Sequence, residues 1–319
     1  MMTRTAFTFP GQGSQHVGMG AALAQHYPSG RAVFDEVDEV LDQPLFRLMT
    51  EGPEDELTLT ENAQPALMAV SMAAMRVLET EKGLSIADCA SYVAGHSLGE
   101  YSALAASGSL RLADAARLLR VRGKAMQQAV PVGEGAMAAL LGPDLDTARQ
   151  IASEAAEGDV CQVANDNAPG QVVLSGSKAA VDRAVEIARA HGARRSVLLP
   201  VSAPFHCALM QPAADAMAEA LADVTLDAPR VPVIANVLAA PETDPERLRQ
   251  NLVAQVTGTV RWRETVEFMA ANGVGRIYEI GAGKVLSGLA RRISRGLDTR
   301  AVGTPEELEA AAPAMTGQS

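Results

Sequence analysis

The stretch Val93-Ala94-Gly95-His96-Ser97-Leu98-Gly99-Glu100 narrows the possible folds more than any other part of the chain. It reads as a short buried strand, 91–94, running into a helix at about 98–107, with one serine between two glycines at the join. So sharp a turn brings the residues two before and two after the serine together, where side chains would collide. The turn lifts the hydroxyl clear of the sheet. The helix that follows offers free backbone N–H groups and a partial positive charge. An oxyanion forming beside Ser97 would therefore meet the N–H of Leu98. The bland alternative is a Gly-bounded turn with a capping serine.

Elements on either side extend the pattern. Strands are expected at 5–9, 91–94, 232–235 and 275–281. Helices are expected near 18–27, 31–42, 98–107, 112–129, 207–222, 245–256, 263–272 and 285–295. A Met- and Ala-rich helix from Gln64 to about Lys82 is apolar nearly all round and should be buried, with Pro65 in its first turn. These segments mix β and α as a doubly wound sheet does. Between them, 135–142, 144–157, 159–165, 170–176, 178–191 and 195–199 follow the order β-α-β-β-α-β, the signature of a ferredoxin-like unit. The expected organisation is a large domain of 1–130 and 200–319, with 131–199 inserted as a small one. The Ala- and Glu-rich tail after Pro305 is expected to fray at its end.

Composition removes several classes of function. A net charge of −11 argues against nucleic-acid binding, which needs a basic face. No run approaches a membrane span, and the apolar stretch at the start is too short for a signal peptide. The three cysteines, Cys89, Cys161 and Cys207, are far apart and form no CxxC. They suggest neither a disulfide framework nor a metal site, and they suit a cytoplasmic protein. GQGSQHVGMG at 11–20 and GAGK at 281–284 are neither dinucleotide fingerprints nor P-loops, because the glycine spacing or the Ser/Thr after the lysine is wrong.

A serine nucleophile needs a base. Of five histidines, His16, His26 and His191 lie in polar surroundings and read as surface residues. His96 adjoins the serine and either lines a pocket or supports the structure. His206, in ValSerAlaProPheHis where the chain re-enters the large domain, is the best base candidate. On the helix 112–129, Leu112, Ala115, Leu119 and Met126 share an apolar face, with Arg122 at its edge. A cation there needs a partner. Geometry leaves an internal Asp or Glu and a bound anion equally open.

Three stretches, FPGQGSQ (9–15), GHSLGEYSAL (95–104) and VSAPFH (201–206), resemble those of the malonyl-CoA:acyl carrier protein transacylases and the related acyltransferase domains of polyketide synthases. RGKAMQ (122–127), GAMAA (135–139), PGQVV (169–173) and GAGKVLSGL (281–289) match in the same order. The resemblance implies an α/β-hydrolase-like large domain carrying the ferredoxin-like one. It implies Ser97 as acylated nucleophile and His206 as general base, then acid. The N–H groups of Gln12 and Leu98 would form the oxyanion hole, and the backbone carbonyl of Gln255 would orient the histidine. Arg122 would bind the malonyl carboxylate, and Phe205 would exclude an α-methyl branch.

The implied partners are malonyl-CoA and acyl carrier protein, with no nucleic acid, membrane, metal or redox cofactor; the chain is expected to be a monomer in fatty-acid synthesis. Both thiol carriers are acidic, so the isolated pair Arg194 and Arg195 is a candidate docking point for the carrier protein. The rival readings are a polyketide-serving acyltransferase, a serine hydrolase and a non-catalytic scaffold. The hydrolase is disfavoured because no HGGG loop is present.

Overall fold

The computed structural model describes residues 4–316. Strand β1 (Arg4–Phe9) is followed by helices α1 (Ala21–His26), α2 (Pro28–Leu41), α3 (Leu45–Glu51), α4 (Glu54–Thr58), α5 (Thr60–Thr80) and α6 (Ile86–Cys89). Next come β2 (Tyr92–Gly95), α7 (Gly99–Ala106) and α8 (Leu112–Gln128). The run β3 (Gly135–Leu141), α9 (Leu145–Ala156), β4 (Cys161–Ala168), β5 (Gln171–Ser177), α10 (Lys178–Ala190) and β6 (Arg195–Leu198) follows. The chain then makes a 3-10 turn at Ala208–Met210 and continues through α11 (Gln211–Ala222), β7 (Val233–Ala235), β8 (Ala240–Glu242), α12 (Pro245–Thr257) and α13 (Trp262–Ala271). It closes with β9 (Val274–Ile280), α14 (Val285–Ile293), β10 (Asp298–Val302) and α15 (Pro305–Thr316).

The protein is a mixed α/β chain with two sheets. The larger runs β10-β9-β1-β2-β7-β8. Its strands pair in parallel from β10 to β7, and β8 adds antiparallel at one edge. Ala6, Phe7, Thr8 and Phe9 of β1 are all buried, as befits the middle of a parallel sheet covered on both faces. Phe9 lies opposite Gly95, so the loops leaving β1 and β2 emerge side by side. The smaller sheet runs β4-β5-β3-β6 with every pair antiparallel. Ala138, Leu140 and Leu174 of its strands form one apolar cluster with Ile151 of α9 and Val181 of α10. It meets the rest of the chain through Asn165 beside Val260, where Asp166 N–H donates to the Val260 carbonyl at 3.0 Å.

Several local expectations change. The helix expected at 64–82 begins at Thr60, so Pro65 lies inside α5 rather than in its first turn. The helix expected from residue 18 begins at Ala21, because Gly18 and Gly20 hold φ of 97° and 81°. Helices α3, α4 and α6 and strands β8 and β10 were not expected. All are short, and β8 contains Pro241, which an edge strand tolerates. The tail after Pro305 forms α15, whose Leu308, Ala311, Ala312 and Met315 are buried at helical spacing; its last three residues lie outside the described chain. No helix among the described residues is long and apolar enough to cross a membrane.

Candidate active site

The loops after β1 and β2 open onto a cavity of about 330 Å³. Gln12, His96, Ser97, Leu98, Arg122, Phe205 and His206 all line it. Sequence-distant residues thus share one space.

The turn at Ser97 is as tight as the glycines imply. A Cβ on Gly95 would stand 1.8 Å from the Gly99 carbonyl oxygen, and one on Gly99 would stand 2.3 Å from that of Phe9. Both contacts are with backbone, so neither can be relieved by a side-chain shift. Ser97 has φ of 52° and His206 has φ of 59°. Each conformation costs a non-glycine residue about 1–2 kcal/mol and persists only because the surroundings enforce it. Gly95→Ala is therefore expected to destabilise the protein by about 3 kcal/mol, in the manner of an overpacked core, and to disable the turn. Urea denaturation checks this; an unchanged midpoint refutes it.

The Ser97 hydroxyl donates to His206 Nε2 at 2.8 Å, and His206 Nδ1–H donates to the Gln255 carbonyl oxygen at 2.9 Å. A carbonyl can only accept, so the proton sits on Nδ1 and Nε2 is left as a lone-pair acceptor. Burial, and then the Arg122 cation, push the His206 pKa down to about 3. The imidazole is thus neutral at working pH, the form a base requires.

Arg122 is fully buried rather than at the margin of the helix face. It donates to Gln64 Oε1 at 2.8 Å, to Gln255 Oε1 at 2.8 Å and to Ser97 Oγ at 3.0 Å. Its partners are amide oxygens and a hydroxyl, and no carboxylate pairs with it among the described residues. The internal salt bridge left open by helix geometry is not made. Burial lowers the pKa of this guanidinium. A buried cation that faces a cavity with no carboxylate in hydrogen-bond contact is built to receive an anion.

Gln12 lies in the loop after β1, with its Oε1 accepting from the Thr60 hydroxyl at 3.2 Å. A Cβ on Gly11 would stand 2.7 Å from the His96 carbonyl oxygen, so only glycine lets this loop lie against the turn. Among the described residues, the N–H groups of Gln12 and Leu98 have no protein acceptor. His96 shares its ring nitrogen Nε2 with Asn167 Oδ1 at 2.9 Å. Arg194 and Arg195 are exposed, where β6 begins. Leu199 and Pro200, just past the other end of that strand, line the cavity.

Four polar residues beside the site escaped the sequence reading. Gln64 is buried on α5, Glu100 on α7 and Asn236 after β7; Asn167 lies at the end of β4. Glu100 was the most visible of them, the single charged residue of its helix. Burial raises its pKa to about 7. A larger cleft of about 640 Å³ contains none of the candidate residues. Its Arg149, Arg261 and Arg263 pair with Asp146, Glu264, Asp166 and Glu267 around it. Among the described residues, no group of three or more His, Cys, Asp or Glu is placed to hold a metal ion.

Comparison with known proteins agrees with this geometry. The malonyl CoA-acyl carrier protein transacylase of Escherichia coli (strain K12) is 48% identical over 310 residues, covering 97% of this chain and 99% of the relative. A crystal structure of an acyl-carrier-protein-S-malonyltransferase from Bartonella henselae superposes with a TM-score of 0.96 at 58% identity, covering 98% and 99% of the two chains. A malonyl-transacylase solved in complex with a type II PKS acyl-carrier protein matches with a TM-score of 0.94 at 45% identity, covering 98% of this chain and all of that one (100%). The model of the acyl transferase domain matches residues 6–304. The serine turn, its histidine and the buried arginine thus sit in a chain that belongs to the acyl transferase domain family.

Proposed function

We propose that this chain is an acyltransferase that moves malonyl from malonyl-CoA to the phosphopantetheine thiol of acyl carrier protein through an ester on Ser97, supplying fatty-acid synthesis. One observation supports the reading above all: the Ser97 oxygen lies within hydrogen-bond distance of a neutral imidazole and of a buried guanidinium at once. A base and an anion receptor then act on the same substrate. The near-full-length relatives named for this activity point the same way.

In the first half-reaction His206 Nε2 takes the Ser97 proton as Oγ bonds to the thioester carbonyl carbon. The N–H groups of Gln12 and Leu98 hold the oxyanion, each donor worth about 3 kcal/mol. The C–S bond breaks, the imidazolium returns its proton to the sulfur, and CoA leaves. The carrier thiol then gives its proton to His206 and attacks the ester carbonyl, and Ser97 leaves with that proton. The Gln255 carbonyl keeps the imidazole in the required tautomer throughout. Arg122 holds the malonyl carboxylate, and the Phe205 ring crowds the α-carbon. The chemistry as written needs only side chains, amides and two thiol carriers.

We read the six-stranded layer, residues 1–130 and 200–319, as an α/β-hydrolase-like catalytic domain, and 131–199 as a ferredoxin-like small domain. The sheet order β4-β5-β3-β6 supports the second assignment. Free thiols at Cys89, Cys161 and Cys207 suit a cytoplasmic setting.

Intact mass after mixing with malonyl-CoA tests the central step. A malonyl adduct should appear on the parental chain and be absent from Ser97→Ala, with acetyl-CoA giving far less. No adduct on the parental chain would sink the reading. A separate assay of free malonate against malonyl-carrier protein distinguishes transfer from hydrolysis. Arg194 and Arg195 are the proposed docking pair for the acidic carrier. Reversing both charges should raise the KM for carrier protein about tenfold and leave hydrolysis of malonyl-CoA unchanged; equal effects on both reactions refute the assignment.

A further inference from the structure

The strained conformation of Ser97 must be held by something, and the flanking helix gives its backbone one bond, from the Glu100 N–H to the Ser97 carbonyl at 3.0 Å. Three bonds to its backbone and to that of Gly95 come from elsewhere. The Ser97 N–H donates to Asn236 Oδ1 at 2.7 Å. The Asn236 Nδ2 donates to the Gly95 carbonyl at 2.6 Å. The Gln255 Nε2 donates to the Ser97 carbonyl at 3.0 Å. Behind them stands Glu100, whose Oε2 accepts from the Asn236 N–H at 3.1 Å and from Gln255 Nε2 at 2.8 Å.

These bonds admit only one orientation of each amide. The Asn236 carboxamide faces a donor, Ser97 N–H, and an acceptor, the Gly95 carbonyl, so its oxygen and nitrogen cannot exchange. The Gln255 amide nitrogen faces only acceptors, the Ser97 carbonyl, Glu100 Oε2 and, at 3.5 Å, Asn236 Oδ1, and its oxygen faces the Arg122 guanidinium, which can only donate. Glu100 thus joins the Ser97 carbonyl in committing the Gln255 amide hydrogens, which turns Oε1 toward Arg122.

We propose that Asn236 and Glu100 are positioning residues that hold the nucleophile, acting through the Ser97 backbone and the Gln255 amide rather than on substrate. Asn236 pins the serine at positive φ and occupies its amide, leaving the Gln12 and Leu98 N–H groups to face the developing oxyanion. Glu100 aligns Gln255, whose one residue serves the serine carbonyl, the histidine and the arginine together. The inference rests on Ser97 being the nucleophile, as proposed above.

The test uses full-length chain and two readouts, malonylation of Ser97 by malonyl-CoA and labelling of Ser97 by a phosphonofluoridate. The second reads the hydroxyl without malonyl recognition. Failure of malonylation in the parental chain overturns the functional reading, while labelling still reports on the clamp. Asn236→Asp keeps an oxygen for the Ser97 N–H but loses the donor to Gly95. Both rates should fall about 10²-fold at pH 8, the cost of a misplaced reacting group. The deficit should shrink as pH falls, because a protonated aspartic acid regains that donor. Charged groups around position 236 are Glu100 on α7, with its pKa raised to about 7, Arg122 on α8 and Arg261 ahead of α13, while burial lowers the pKa of both His96 and His206. A pH profile parallel to the parental one overturns the role of Asn236. Independently, Glu100→Ala should lose both rates about 10²-fold and Glu100→Gln should recover most of the loss, since one amide oxygen can accept both bonds. Equal losses in the two variants overturn the role of Glu100.

Discussion

Replacing His206 with alanine is expected to slow malonylation of Ser97 by about 10⁴- to 10⁶-fold, the scale seen when one member of a nucleophile–base pair is removed. The serine would keep its turn, its Asn236 bond and its exposure to the cavity. Among the described residues it would lose the only group placed to take its proton, since the Arg122 donor that shares Oγ cannot accept one. Rapid-quench intact mass measures the rate directly. A variant within tenfold of the parental rate would falsify the assignment of the base. The pH dependence carries a second sign. The folded His206 pKa is depressed to about 3, against 6.5 for an ordinary imidazole. The base therefore stays competent well below pH 6.5, and the parental acylation rate should show no acid limb near 6.5 from this group. Stability moves the other way. Between pH 6.5 and 3 the unfolded chain binds a proton here that the folded chain refuses. Folding stability from this group is therefore intact above 6.5 and lost as pH falls through the window.

Arg122→Ala is expected to lower kcat/KM for malonyl-CoA by about 10²- to 10³-fold, the range found when one side of a buried charged contact is truncated. Activity toward acetyl-CoA, which has no carboxylate to place, should change far less, so discrimination between the two thioesters should collapse. Two further consequences follow from the geometry. First, the malonyl ester would no longer be pinned, and its hydrolysis should accelerate; an unchanged acyl-enzyme lifetime would count against pinning. Second, removing a cation that depresses the His206 pKa should raise that pKa, although burial, the larger cause, remains. The acid limb of acylation should therefore move up in pH in the variant. If selectivity between malonyl and acetyl persists in Arg122→Ala, the carboxylate is held elsewhere.

Much of the arrangement was legible in the residues because it obeys local rules. A glycine two before and two after Ser97 states how tightly the chain turns, and the contact of Gly95 with the Gly99 carbonyl follows from that alone, whereas Gly99 meets the Phe9 carbonyl of β1. The β-α-β-β-α-β order of 135–198 could be read because each element has its own period and its own breakers. Arg122 could be placed near an apolar face by helical arithmetic, but not at full burial. That depends on α5 and α8 packing together so closely that a Cβ on Gly123 would stand 2.5 Å from the Glu61 Cα. The short helices α3, α4 and α6 escaped because five or so residues hold too little of a period to read. The tail helix α15 had its spacing in view, yet only the surface it docks on explains why it is ordered.

The sequence by itself determined the kinds of group available and the local turn that exposes one hydroxyl, because both depend on neighbours in the chain. Tertiary structure alone decided which groups meet. Ser97 and His206 stand 109 residues apart, and Ser97 and Gln255 stand 158 apart. The parallel register sets β7 beside β2, and so delivers Asn236 to the serine amide. Periodicity says which face of an element is buried, but it carries no information about what the facing element will bring. The proton on His206 Nδ1, the neutral imidazole and the unpaired guanidinium all arise from such meetings, and so they exist only once the chain has folded.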